Sequence, residues 1–234
     1  MDYYLSVPIC GEMDREGESA INDFKGNADD LHDIISSKFP IEYRRTPSAL
    51  KTKWLAEIAA GVGEEAPPTN KEIDERLAIL GNKVAVFVTD IRSAKLWISL
   101  RVPPISDGNN SGAEVQNYVL GELKAMREAA TAMLDAGKDY QWQRALGLEK
   151  TIASTIPNFA AYIVELDVKA YNATYYSLID LRSFYVKAML LFEKNSPKLM
   201  DPRGETYAIL ARTASAGTAE DPLDLGPAAG VCSC

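Results

Sequence analysis

Between Asn70 and Val102 the apolar residues Ile73, Leu77, Leu80, Val84, Phe87, Ile91, Ala94 and Ile98 recur at alternating steps of four and three. That spacing is a heptad seam, and it puts the whole set on one face of a single long helix. At 1.5 Å per residue the helix would be roughly 45–50 Å long, a reach found mainly in bundles and coiled coils. Thr69, followed three residues later by Glu72, forms a capping-box pattern at its start. Pro103-Pro104 ends it, because a proline ring lacks an N–H and pushes its neighbour out of the helical region. A turn-rich run, Ile105 to Gly112, follows.

The rest of the chain repeats the habit. Ser111 with Glu114 is a second capping box, and Val115, Val119, Leu123, Met126, Ala130, Met133 and Tyr140 mark a helix that closes near Pro157. Val168, Tyr171, Tyr175, Leu178, Tyr185, Met189 and Phe192 mark another between Asp167 and Asn195, with Pro197 and Pro202 closing it. Upstream, Ile21, Phe24, Ala28, Leu31 and Ile35 form a shorter stripe that halts at Phe39-Pro40. Thr46-Pro47 restarts a helix through Leu50, Trp54 and Ile58, with proline at the first helical position. Residues 61–69 read as a linker. With no alternating strand pattern between the helical regions, the expected fold is all-α: one antiparallel four-helix bundle of long helices. The expected division is a flexible N-terminus at 1–17, the bundle at 18–207 and a disordered tail at 208–234. From Thr213 onward the tail has no lysine or arginine and too little apolar surface to offset its ordering entropy.

Charge and residue usage narrow the chemistry. A formal net charge of −8 has the wrong sign for holding a phosphate backbone, so no nucleic acid is expected. The N-terminal residues carry no basic, apolar leader, and no window of about 18 uninterrupted apolar residues exists, so neither secretion nor a membrane partner is expected. Cys10, Cys232 and Cys234 lie only at the two ends, which is no disulfide framework. His32 is the single histidine, and zinc sites that need two are excluded. Asp29, Asp30, His32 and Asp33 read as a solvated acidic face, and Cys232-Ser233-Cys234 as ordinary exposed thiols. The aromatic stripe of Tyr171, Tyr175, Tyr185 and Phe192 reads as core or subunit-interface packing, with Arg182 or Glu165 as partners for the tyrosine hydroxyls. No nucleophile, base and orienter come together, so no catalytic residue, cofactor or metal is expected.

Two stretches resemble the 11S regulators, the REG family of proteasome activators. One is Leu96 to Gly112, with Trp97, Pro103-Pro104, Asp107-Gly108-Asn109-Asn110 and Gly112 in the family's order. The other runs from Tyr162 to Glu205, through Glu165, Asp167, Tyr171, Leu181-Arg182 and Phe184-Tyr185 to Pro202-Arg203-Gly204-Glu205. Weaker similarity at Ser37 to Pro40 and around Asn70 extends the likeness over roughly residues 20–207.

The resemblance implies a four-helix bundle that assembles into a heptameric ring, docks on the α-subunits of the core proteasome and opens its gate without ATP. It implies an activation loop at Ile105, Ser106, Asp107, Gly108, Asn109, Asn110, Ser111 and Gly112, with Asn109 as its central contact. It also implies a docking tail, for which Tyr207 and Val231, Cys232, Ser233 and Cys234 are the candidates. Ser111 stands where the family has an aromatic residue, and residues 208–234 extend beyond the family's usual end. The expected compartment is cytoplasm or nucleus. The alternative reading, taken from the heptad seams alone, is a helical scaffold or adaptor that binds partner helices.

Overall fold

The seam is the spine of the core. From Ile73 to Ile98 its residues are buried, apart from Leu77, which is partly so. They lie on α4 (Lys71–Ser99), one of four long helices in the computed structural model, which describes residues 8–45, 47–61, 69–104, 110–153 and 158–204. The other three are α1 (Pro8–Lys38), α5 (Ser111–Ala153) and α6 (Asn158–Met200). Two shorter helices, α2 (Ile41–Arg45) and α3 (Pro47–Gly61), connect α1 to α4. No strand occurs among the described residues, and no helix there is long and apolar enough to cross a membrane.

Cross-helix bonds give the topology. Along α1 and α4, Asn27 meets Asp90 and Lys38 meets Glu75, so the helices run antiparallel. Lys187 with Glu122 and Arg144 with Asp167 show the same for α5 and α6. α1 packs on α4 and α6, and α5 packs on the same two helices, so α4 and α6 share the centre of the bundle. There Phe87 meets Tyr185 edge-on at 4.8 Å, and Phe24 touches both Tyr185 and Phe192 at 5.9 Å. Each such pair contributes about 0.5–1.5 kcal/mol beyond its buried area.

Several boundaries differ from the expectation, each for a local reason. α1 starts at Pro8, so residues 8–17, expected in the flexible N-terminus, are helical. Asp14 in that stretch accepts from Arg101 beyond α4, a tie that no periodicity reveals. α4 is capped by Asn70, not Thr69: the Asn70 side chain accepts from the Ile73 N–H at 3.3 Å. Glu72 instead pairs with Lys53 at 2.8 Å and Arg76 at 2.9 Å. α5, by contrast, starts one residue earlier than its capping-box reading, at Ser111 itself, with the Asn110 carbonyl accepting from Glu114 at 3.0 Å. Pro197 does not close α6, which continues to Met200. Pro197 and Glu193, whose carbonyl loses its donor, are both exposed, so water can replace that bond, while buried Leu199 anchors the last turn.

Candidate functional site

The two family-like stretches, about ninety positions apart in sequence, meet at one end of the bundle. α4 stops in a tight last turn: Leu100 donates to the Leu96 carbonyl at 3.0 Å, Arg101 to Ile98 at 2.9 Å and Val102 to Ser99 at 3.3 Å. The Arg101 guanidinium stacks on Trp97, 3.8 Å from the ring centroid. It also donates to Asp14 and to the Trp97 carbonyl, so α1 braces the point where the chain leaves α4. A stacked and ion-paired guanidinium is planar and always charged, which suits it to fixing a chain exit.

On the far side of the loop, α5 begins against the close of α6. Gly112 is buried, and a Cβ there would fall 1.8 Å from the Pro202 carbonyl oxygen and 2.4 Å from its Cα. Only glycine permits this approach. Gln116, one turn on, is fully buried and donates from Nε2 to the carbonyls of Arg101 and Leu199, each at 3.1 Å. Arg203 donates to the Pro104 carbonyl. The turn from Asp201 to Gly204 is held by the Gly204 N–H on the Asp201 carboxylate at 3.0 Å, with Gly204 at a φ of 67°. Pro202 and Arg203 are thus clasped to both flanks of the candidate loop.

Of the expected loop residues, Asn110 and Ser111 are exposed at the start of α5, and Gly112 is buried behind them. Ile105, Ser106, Asp107, Gly108 and Asn109 lie outside the described residues, as do Tyr207, Val231, Cys232, Ser233 and Cys234. Gln116 and Arg101 had no role in the sequence reading. Gln116 falls three residues before Val119, in step with Leu123 and Met126, and a polar residue in register with that apolar seam is the only signal in the chain that could have marked it. Lys95, on the α4 flank of this end, has its ammonium pKa lowered by burial and by the charges of Arg127 and Lys124.

The opposite end carries a second polar cluster of a different kind. Asp167 Oδ1 accepts from the Tyr140 hydroxyl at 2.8 Å and from Arg144 Nε at 3.0 Å, and Oδ2 accepts from Asn70 at 2.9 Å. Asp167 and Arg144 are both buried, and burial together with the Asp167 charge pushes the Tyr140 phenol far up. Beside it, buried Arg76 lies over the rings of Phe39 and Tyr171 and donates to the Lys38 carbonyl at 2.6 Å, capping α1. These donors and acceptors satisfy one another, so the cluster ties α4, α5 and α6 together.

The tyrosine partners differ from those expected. Tyr185 donates to Asp90 at 2.8 Å, and burial followed by this bond raises its phenol pKa. Tyr175 accepts from Arg44 at 2.9 Å. Arg182 instead meets His32 at 3.1 Å and Glu165 pairs with Lys51 at 2.5 Å, because both point outward while the tyrosines point in. Asp29, Asp30, His32 and Asp33 are exposed, and Asp30 pairs with Lys83.

Residues 66–208 match the family described as proteasome activator PA28, C-terminal. A curated relative, proteasome activator 28 of Dictyostelium discoideum, is 32% identical over 108 residues, 46% of this chain and 48% of its own. The chain spans about half the length of the curated relatives it matches, from 48% to 58%. Among solved structures, the 11S subunit of the Plasmodium falciparum proteasome, PA28, aligns with a TM-score of 0.70 at 20% identity, over 83% of this chain and 91% of that one. PA26, in a complex with an archaebacterial 20S proteasome, aligns with a TM-score of 0.63 at 14% identity, over 81% and 89%. Both structural likenesses are likenesses of fold.

Proposed function

The chain belongs to the proteasome activator PA28 family, and from that membership we propose that it is an ATP-independent activator of the core proteasome. In this reading seven copies form a ring, the ring docks on the α-subunits, and residues 105–112 press on the gate and hold it open. The chain hydrolyses nothing itself. Residues beyond Gly204, with Tyr207 or Val231 to Cys234 as the contact, supply the docking affinity. Seven weak tails on one ring bind strongly because each tail held raises the effective concentration of the next. A cyclic ring also presents an equivalent loop to each α-subunit.

The observation that carries the reading is the clasp. Arg203 on the Pro104 carbonyl and Gly112 against Pro202 put the loop flanks and the root of the tail at one end of the bundle. One face can therefore deliver both binding and gate opening. Exposed apolar side chains on α5 and α6, among them Tyr118, Trp142, Tyr176 and Val186, are surface that ring neighbours would cover.

Asn109→Tyr tests the loop. The variant is expected to keep its ring mass and its binding to core proteasome while stimulation of peptide hydrolysis at saturation falls about tenfold or more, because an opening element works only when held in the right place. Normal stimulation by this variant would place the gate contact elsewhere.

A further inference from the structure

We propose that Gln116 is the positioning residue of the activation loop, its one amide fixing the loop's two stems to the last turn of α6 from which the tail departs. The proposal rests on the reading of residues 105–112 as the gate-opening loop.

Three observations lead to it. Gln116 is fully buried, although glutamine is ordinarily a surface residue. Its Nε2 donates to two backbone carbonyls at 3.1 Å, Arg101 on the stem before the loop and Leu199 at the end of α6. Gln116 itself lies on the stem after the loop. Both carbonyls have a proline three residues on, Pro104 and Pro202, so neither can receive the i+3 backbone N–H that commonly tightens a helix end. The glutamine supplies the donors that the prolines remove. Because both neighbours are acceptors, the amide nitrogen must face them, which fixes the orientation of the group.

The other half of the amide is also informative. Gln116 Oε1 is buried and has no hydrogen-bond partner among the described residues. Leaving a buried acceptor alone is costly, a cost that core packing gives no reason to carry. A side chain that served only to fill the core would be better replaced by leucine or methionine. An amide joining three chain segments suits an element whose two ends must be held in place.

The test uses full-length rings and core proteasome. Gln116→Met keeps the volume and removes both donors, and Leu123→Ala, a fully buried position further along α5, serves as a control that lowers stability without touching the clasp. Ring mass, binding to immobilised core proteasome and stimulation at saturation are measured for each, with backbone hydrogen exchange over residues 100–116. We expect Gln116→Met to bind within about twofold of wild type, to lose about fivefold or more of its maximal stimulation, and to exchange faster in that segment. Leu123→Ala should keep its maximal stimulation wherever its ring is intact.

Should Gln116→Met fail to assemble, Gln116→Asn, which retains an amide too short to reach both carbonyls, is read in the same way. Equal stimulation by wild type and the Gln116 variant overturns the proposal and leaves the activator reading standing. Equal losses in the Gln116 variant and the Leu123 control also overturn it, since the role would then be stability alone. A wild-type ring that binds and stimulates nothing overturns the activator reading, and this proposal with it.

Discussion

Asp167→Ala is expected to lower the unfolding free energy by about 3–5 kcal/mol, because it takes the neutralising charge away from a buried guanidinium. Asp167 and Arg144 are only 2% and 5% exposed at their side chains. The same carboxylate also accepts from Tyr140 and from Asn70, the residue that caps α4. Its loss therefore reaches three long helices at once. Urea titration at one fixed protein concentration measures the effect, since assembly makes apparent stability depend on concentration. A loss below about 1 kcal/mol, the scale of a surface pair, would show that the cluster is not the structural tie described here. The cluster lies at the end of the bundle away from the loop, so rings of this variant that remain assembled should still stimulate the proteasome.

Gly112→Ala should do the reverse, sparing most of the bundle and disabling the loop end. The added Cβ would sit 1.8 Å from the Pro202 oxygen and 2.4 Å from the Pro202 carbonyl carbon. Those are backbone atoms, which cannot rotate aside as a long side chain can. Either the start of α5 or the Asp201–Gly204 turn must move, and both are roots of the elements that would meet the proteasome. We expect maximal stimulation to fall by about tenfold, with weaker binding, against a stability loss of about 1–3 kcal/mol typical of overpacking. Stimulation equal to wild type would mean that the close approach of these segments is not needed for opening.

The parts of the fold that depend on period were legible in the chain. Ile73 to Ile98, Val119 to Ala130 and Tyr171 to Phe192 were placed by spacing alone, because burying one face of a helix needs only the right residue every three or four positions. The loop flanks and the Pro202-Arg203-Gly204 close could be marked as two separate motifs, but their meeting could not. Contact between Pro104 and Arg203 depends on how four helices align, which no local pattern encodes. Polar partners were the least legible. Glu165 and Arg182 were as plausible for the tyrosines as Asp90, and only the helix rotations decide that Asp90 points inward. The same holds for Gln116, whose burial depends on α6 ending where it does. Cap positions slipped by one residue at Asn70 and Asn110, because Thr69 and Ser111 beside them also belong to the residue types that cap helices.

The proposed function stands or falls on whether this chain opens the proteasome gate. Its most direct test is the hydrolysis of a fluorogenic peptide by latent core proteasome, without ATP, in the presence and absence of the full-length protein, after light scattering has established its mass. A ring of seven chains of 25.6 kDa, about 180 kDa in all, that raises hydrolysis severalfold is the predicted result. A monomer or a ring of other size that leaves hydrolysis unchanged would contradict the account and favour a helical scaffold.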